Sequence, residues 1–158
     1  MAASDPSVDL HIGRISPDDT IRIRHLVLWP DAPIDHVRLP EDDAGFHFAA
    51  FLPGRAESVA VISLFKEDIP DSQSAVKGSG TTFRFRKFAC EHAHQGQGIG
   101  SRLLAYTIQV ARDELGARVV WCDARTATVK WYEKRGLVPF GNKFWKGPVE
   151  YIRMLIEL

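Results

Sequence analysis

Phe88-Ala89-Cys90-Glu91-His92-Ala93-His94-Gln95-Gly96-Gln97-Gly98-Ile99-Gly100 opens the stretch that decides how this 158-residue chain is read; the stretch runs on to Gly116. It begins with strand-forming residues and passes through three glycines in five positions. Apolar residues then recur at Leu103, Leu104, Ile108, Ala111 and Leu115, the spacing of one helical face. Glycines at the mouth of a helix leave backbone N–H groups uncovered, and the first turn has no internal acceptors for them. With the positive end of the helix dipole behind them, those groups suit a phosphate.

Several kinds of protein use such a loop. A P-loop requires Lys and then Ser or Thr after the last glycine, and here Gly100 is followed by Ser101-Arg102. A dinucleotide site places this spacing early in a βαβ unit with an acidic residue about twenty positions on. Asp123 is loosely placed for that role, but the chain has one long crossover helix and too little length for the doubled unit. Glycines that serve only a tight turn and close packing are the remaining plain alternative.

The strand ahead of the loop is equally informative. Phe83 and Phe85 alternate with Arg84 and Arg86, whereas Phe88 and Cys90 fall in the opposite phase. Period two survives this only if one extra residue is absorbed, which predicts a β-bulge near Arg86–Lys87. A bulge splays its strand from a neighbour and exposes backbone polar groups that a ligand can use.

Outward from this centre, residues 1–9 read as a loose tail and 10–158 as one domain. A strand at Leu10–Ile15 leads to Ser16-Pro17-Asp18-Asp19, a helix start with Ser16 as N-cap, Pro17 at N1 and Asp19 closing the box. That helix carries Ile21, Arg24, Val27 and Leu28 inward and ends before Pro30. Trp29 to Asp43 is broken by three prolines and reads as an irregular loop with a helical turn near Ile34–Leu39. Strands at Gly45–Phe51 and Val59–Leu64 flank the turn Leu52-Pro53-Gly54-Arg55, and Lys66–Gly80 reads as a flexible connection. After Gly116 come a strand at Arg118–Asp123 and a short helix from Thr126 or Ala127 to Arg135, closed by Gly136. Two strands, Val138–Phe144 and Tyr151–Glu157, flank Lys146-Gly147-Pro148. This order predicts an α/β domain with a mixed sheet: hairpins argue against a purely parallel one, crossover helices against all-β.

Composition narrows the function. Twenty Lys+Arg balance twenty Asp+Glu, so nothing points to a nucleic-acid partner. No apolar run approaches membrane-spanning length and no signal core opens the chain, which predicts a soluble cytoplasmic protein with no membrane partner. Cys90 and Cys122 alone give neither a disulfide framework nor a zinc pattern, so no metal is expected and both read as small buried hydrophobes.

The loop Gln95-Gly96-Gln97-Gly98-Ile99-Gly100 resembles the Gln/Arg-x-x-Gly-x-Gly/Ala motif of the GNAT N-acetyltransferase superfamily. Cys90, five residues earlier, sits at the family's usual aliphatic position in a bulged fourth strand. Lys130-Trp131-Tyr132-Glu133-Lys134-Arg135-Gly136-Leu137 is similar to its Tyr-Glu-Lys-x-Gly-Phe segment. The resemblance covers about 45–158 well and 10–44 more loosely, and is nearest to small-molecule-type or uncharacterised microbial and fungal members. It implies an acyl-CoA N-acyltransferase fold, a mixed and mostly antiparallel sheet with flanking helices. It also implies acetyl transfer from acetyl-CoA to a primary amine of a small molecule, by a monomer or homodimer.

By the same resemblance, the N–H groups of Gln95, Gly96, Gln97, Gly98, Ile99, Gly100 and Ser101 hold the coenzyme A diphosphate. The strand at Phe88, Ala89 and Cys90 pairs with the pantetheine arm, and the Gln95 side chain donates to a phosphate oxygen. Tyr132 aligns with the usual general acid and lies near the cofactor sulfur. Arg125 stands where relatives often carry Asn; it reaches a phosphate or caps the strand end, with Thr126 and Thr128 replacing the capping part. The base is less determined: Glu91, His92 and His94 follow the strand, and His47 is the choice because an imidazole titrates near neutrality. Arg24 and Trp29 lie toward the acceptor. Many relatives use a glutamate in or near the fourth strand as base; its absence here, together with Arg125, also fits another reading, a non-catalytic acyl-CoA-binding or sensor protein on the same fold.

Overall fold

A computed structural model of the chain describes residues 9–70 and 80–158. All but the last residue of the expected tail (1–9), and positions 71–79 of the expected connection, lie outside the described residues. The strands are β1 (His11–Ile15), β2 (Phe46–Phe51), β3 (Ala60–Lys66), β4 (Thr82–Cys90), β5 (Val119–Arg125), β6 (Val138–Lys146) and β7 (Val149–Glu157). The α-helices are α1 (Ile21–Ile23), α2 (Ile99–Glu114) and α3 (Val129–Glu133). One seven-stranded sheet has the order β1-β2-β3-β4-β5-β7-β6. β4 and β5 run parallel, whereas β1–β2, β2–β3, β5–β7 and β6–β7 run antiparallel. The mixed, mostly antiparallel sheet with flanking helices is therefore as expected.

The described residues pack as two compact units, 9–65 with Lys87–Gln109, and 66–70 and 80–86 with Val110–Leu158. In the first, Ser16 forms the expected capping box: its hydroxyl accepts from the Asp19 N–H, and its own N–H donates to the Asp19 carboxylate, both at 3.3 Å. The turn that follows, Pro17–Thr20, is 3-10; it widens into α1 and then further into a π-helical turn over Arg24–Leu28. That widening closes with the Trp29 N–H on the Arg24 carbonyl at 3.3 Å, and Pro30 prevents continuation. The core joins Ile23, Ala49, Val61 and Ala89, with Ile15, Val27, Leu28 and Phe51 packed around it. β2 is buried along its middle, which its near-continuous apolar run requires.

In the second unit Trp121 is fully buried and packs with Ile69, Val119, Phe140 and Leu155. Its indole N–H donates to the Glu67 carbonyl at 2.8 Å, so the one polar atom of the ring is satisfied. β4 pairs with β5 only over Thr82–Arg84 against Val119–Trp121, although β5 runs on to Arg125. β6 is a mostly exposed strand whose register against β7 shifts between Phe140 and Phe144, where Gly141 has φ 73°.

The interruption expected near Arg86–Lys87 appears at Lys87. With φ 54° it is the one non-glycine residue of positive φ among the described residues.

Candidate active site

The glycine loop and the end of β4 leading into it, from Lys87 onward, lie in the first unit. Gly96 and Gly98 have φ 79° and 81°, and a Cβ built on either would meet nothing within 4 Å. These two glycines are required by backbone conformation and not by packing, and the space above them is open. Gly100 differs: a Cβ there would lie 3.4 Å from the Phe88 ring, so this glycine lets the helix start ride close on β4. The Arg102 N–H donates to the Gly98 carbonyl at 3.1 Å as the α2 ladder begins. The N–H groups of Gly98, Ile99 and Gly100 precede that bond and have no acceptor inside the helix. The Gln95 side chain, expected on a phosphate, ties the loop to the end of β4 by donating to the Cys90 carbonyl at 3.0 Å.

Glu91 is fixed at the strand end. Its N–H donates to the Val59 carbonyl at 2.8 Å, and its carboxylate lies 3.3 Å from Arg22 and 3.7 Å from Arg55. Arg22 also donates to the Ser58 carbonyl, and Arg55 stands 3.1 Å from the His94 ring. Sequence reasoning missed both arginines. Arg22 reads as one more polar position on an amphipathic helix and Arg55 as a turn residue, with no motif to connect them to the loop. Trp29 caps the π turn, with the Lys87 ammonium 4.3 Å above its ring and the His36 ring edge-on at 5.1 Å. The left-handed backbone at Lys87 and this aromatic contact occur at one residue.

Arg24 and His47, expected at the acceptor and as base, are committed to internal partners. Arg24 is fully buried and bidentate to Asp42, at 2.8 and 2.9 Å; it also donates to the Val37 carbonyl and the Ser63 hydroxyl. His47 is 1% exposed, with Nδ1 2.7 Å from Ser63 Oγ and Nε2 2.8 Å from the Asp42 carbonyl. Both ring nitrogens are engaged, and burial pushes the imidazole below its ordinary range despite the nearby Asp42. Burial alone would raise the Asp42 pKa, but hydrogen bonds from Arg24 and the Leu39 N–H, together with the Arg24 charge, outweigh it and the net shift is downward. No signal in the sequence pairs Arg24 with Asp42, because the prolines between them hide the turn that brings the carboxylate back.

Tyr132 lies in the second unit, half-buried, with the Phe85 ring at 5.9 Å and the Trp131 ring edge-on at 5.0 Å. Among the described residues its hydroxyl has no hydrogen-bond partner. Burial, reinforced by Cys122, pushes the phenol pKa up, so the group holds its proton throughout the physiological range. Cys122 is buried and its thiol likewise pushed up by burial, whereas Cys90 is only half-buried, less enclosed than expected. Arg125 is exposed at the end of β5. The Thr128 hydroxyl donates to the Arg125 carbonyl at 2.7 Å and Thr126 to Glu150. Neither threonine caps the short helix, which corrects the expectation that they would.

The loop suits a diphosphate on three counts. Its N–H groups precede the α2 ladder, its two left-handed glycines leave open space, and residues 92–101 contain no carboxylate. Among the described residues no group of three His, Cys, Asp or Glu is placed to hold a metal, and no helix is long and apolar enough to cross a membrane.

These features are those of an acyl-CoA N-acyltransferase fold, and the sequence profile of the Acetyltransferase (GNAT) family matches residues 17–137. The chain belongs to that family and is an acetyltransferase. It is 31% identical over 137 residues to the uncharacterized N-acetyltransferase YitI of Bacillus subtilis (strain 168), covering 85% of this chain and 87% of that protein. Its fold is similar to a spermidine N-acetyltransferase SpeG chimera from Vibrio cholerae and hSSAT, at TM-score 0.69 and 17% identity over 94% of this chain and 95% of the other. It is also similar to a GNAT acetyltransferase from Elizabethkingia anophelis with acetyl-CoA bound, at TM-score 0.66 and 17% identity over 94% and 98% of the two chains.

Proposed function

We propose that this acetyltransferase draws its acetyl group from acetyl-CoA and passes it to a primary amine of a small molecule. The observation that carries the reading is the pair of left-handed glycines, Gly96 and Gly98, under open space at the mouth of α2. Backbone N–H groups from Gln95 to Ser101 would hold the diphosphate, and the backbone of Phe88, Ala89 and Cys90 the amide arm, with Arg125 near the phosphates. Acetyl-CoA supplies an activated thioester when bound. In this reading Tyr132 Oη carries a proton at neutral pH and gives it to the departing thiolate. The amine enters neutral and releases its proton to solvent, which leaves His47 to its buried partners. Trp29 supplies a ring surface on the acceptor's side. Support for the donor comes from the family and from the acetyl-CoA-bound relative; support for a small amine comes from the spermidine acetyltransferase of the same fold.

Gly98→Ala tests the cradle. An L side chain at φ 81° is strained by about 1–2 kcal/mol, and its methyl enters the open space where a phosphate oxygen would lie. Calorimetry is expected to show coenzyme A binding weakened at least about tenfold, with the circular dichroism spectrum of the fold preserved. Wild-type affinity in this variant would contradict the reading.

A further inference from the structure

The second unit carries a group of charges that neither the glycine loop nor Tyr132 uses. Along β5 successive side chains alternate, so Cys122, whose thiol acts on Tyr132, and Asp123 point to opposite faces. The Asp123 carboxylate, 8% exposed, accepts from Arg84 at 2.8 Å and from Lys146 at 3.0 Å on one oxygen. Arg153 Nε lies 3.3 Å from the other oxygen. Arg84 also pairs with Glu67 at 3.0 Å, so three cations share two carboxylates and one positive charge is left over.

That surplus resides at Arg153. Among the described residues its guanidinium makes no hydrogen bond: the contact with Asp123 is ionic only, and both Arg153 Nε and Asp123 Oδ1 are buried without a hydrogen-bond partner. With Nε buried against Asp123, the terminal Nη atoms of this half-buried guanidinium make no hydrogen bond and match a carboxylate, which takes two parallel N–H bonds. Beside it stand Phe144 and Tyr151, cross-strand partners with rings stacked at 5.9 Å and 20°. Arg153 lies 5.1 Å from the Phe144 centroid and Lys146 4.6 Å from that of Tyr151. The register shift of β6 ends at Phe144, and such irregularities re-aim side chains near binding sites.

We propose that the acceptor is an amine that also bears a carboxylate on an aromatic or flat apolar body, and that Arg153 and Lys146 bind this carboxylate beside Phe144 and Tyr151. The inference rests on the acetyl-transfer reading above. In the transfer, the amine nitrogen bonds the acetyl carbon as the carbon–sulfur bond breaks and its electron pair goes to sulfur. Sulfur takes one proton and the new amide nitrogen loses one to solvent. A polyamine would bring positive charge to three cations and is disfavoured here.

The test pairs binding with kinetics on the full chain. Hydrocinnamate, a carboxylate without an amine, is titrated calorimetrically into wild type, Arg153→Met and Arg153→Lys without acetyl-CoA. Wild type is expected to bind it in the millimolar range, Arg153→Met roughly ten- to hundredfold more weakly, and Arg153→Lys in between. In thiol-release kinetics wild type is expected to prefer L-phenylalanine over phenethylamine and spermidine by a similar factor. Arg153→Met should bring the first two to parity with the KM for acetyl-CoA unchanged. No hydrocinnamate binding by wild type, equal binding by Arg153→Met, or spermidine as the better acceptor would overturn the proposal. Failure of acetyl transfer itself appears separately, as hydrocinnamate binding without thiol release from any amine. Should Arg153→Met not fold, Arg153→Lys and Lys146→Met carry the same comparison.

Discussion

Replacing Tyr132 by Phe is expected to lower the rate of acetyl transfer roughly 10²–10⁴-fold and to leave the affinity for acetyl-CoA unchanged. The change removes one hydroxyl and keeps the ring, so the contacts with Phe85 and Trp131 persist. What disappears is a proton donor whose oxygen has no partner among the described residues and whose pKa burial has raised. A donor of raised pKa stays protonated as the pH climbs, so the alkaline limb of the wild-type profile should lie above the ordinary tyrosine range, near pH 10. Single-turnover kinetics, which isolates the chemical step, is the measurement. An unchanged rate there would remove Tyr132 from the reaction.

The second large effect is on stability. Asp42→Ala is expected to cost about 3–5 kcal/mol, because it leaves the Arg24 guanidinium buried and unpaired. The penalty should be read as a fall in the urea midpoint at unchanged slope. Replacing both partners, Arg24→Met with Asp42→Leu, should recover much of the loss, since two apolar groups leave no orphaned charge. Acid should mimic the single change. Asp42 and His47 both have folded-state pKa values below their unfolded ones, so the stability they contribute is complete above the unfolded values. For His47 it is lost as pH falls from about 6.5, and for Asp42 as pH falls from about 4. A urea midpoint that is flat across this range, or Asp42→Ala as stable as wild type, would contradict this account of the cluster.

Local signals carried most of the architecture. Ser16 to Asp19 specified a cap because the side chains that close it are three residues apart, and the structure forms both bonds. The phase conflict between Phe85 and Phe88 marked the irregularity now seen at Lys87, since side-chain alternation is a property of consecutive residues. The glycines from Gly96 to Gly100 marked the mouth of α2, a reading that likewise needs only neighbouring residues. Roles set by distant partners were not legible. Arg24 looked like an acceptor group and His47 like a base because a polar side chain reads alike in sequence whether it faces a cleft or a buried Asp42 or Ser63. Gln95 looked like a phosphate ligand because its partner, the Cys90 carbonyl, is a backbone atom that no composition reveals. The Asp123 cluster was missed altogether. Its members come from β4, β5, β6 and β7, and only the sheet order brings Arg84, Lys146 and Arg153 to one carboxylate.

Hydrogen exchange with and without saturating coenzyme A addresses the central claim most directly. Binding of a diphosphate by the N–H groups at the mouth of α2, and of an amide arm by the end of β4, should slow exchange of the amides over 88–101. The predicted result is protection concentrated in that segment. Exchange over 88–101 that is the same with and without coenzyme A would contradict the account.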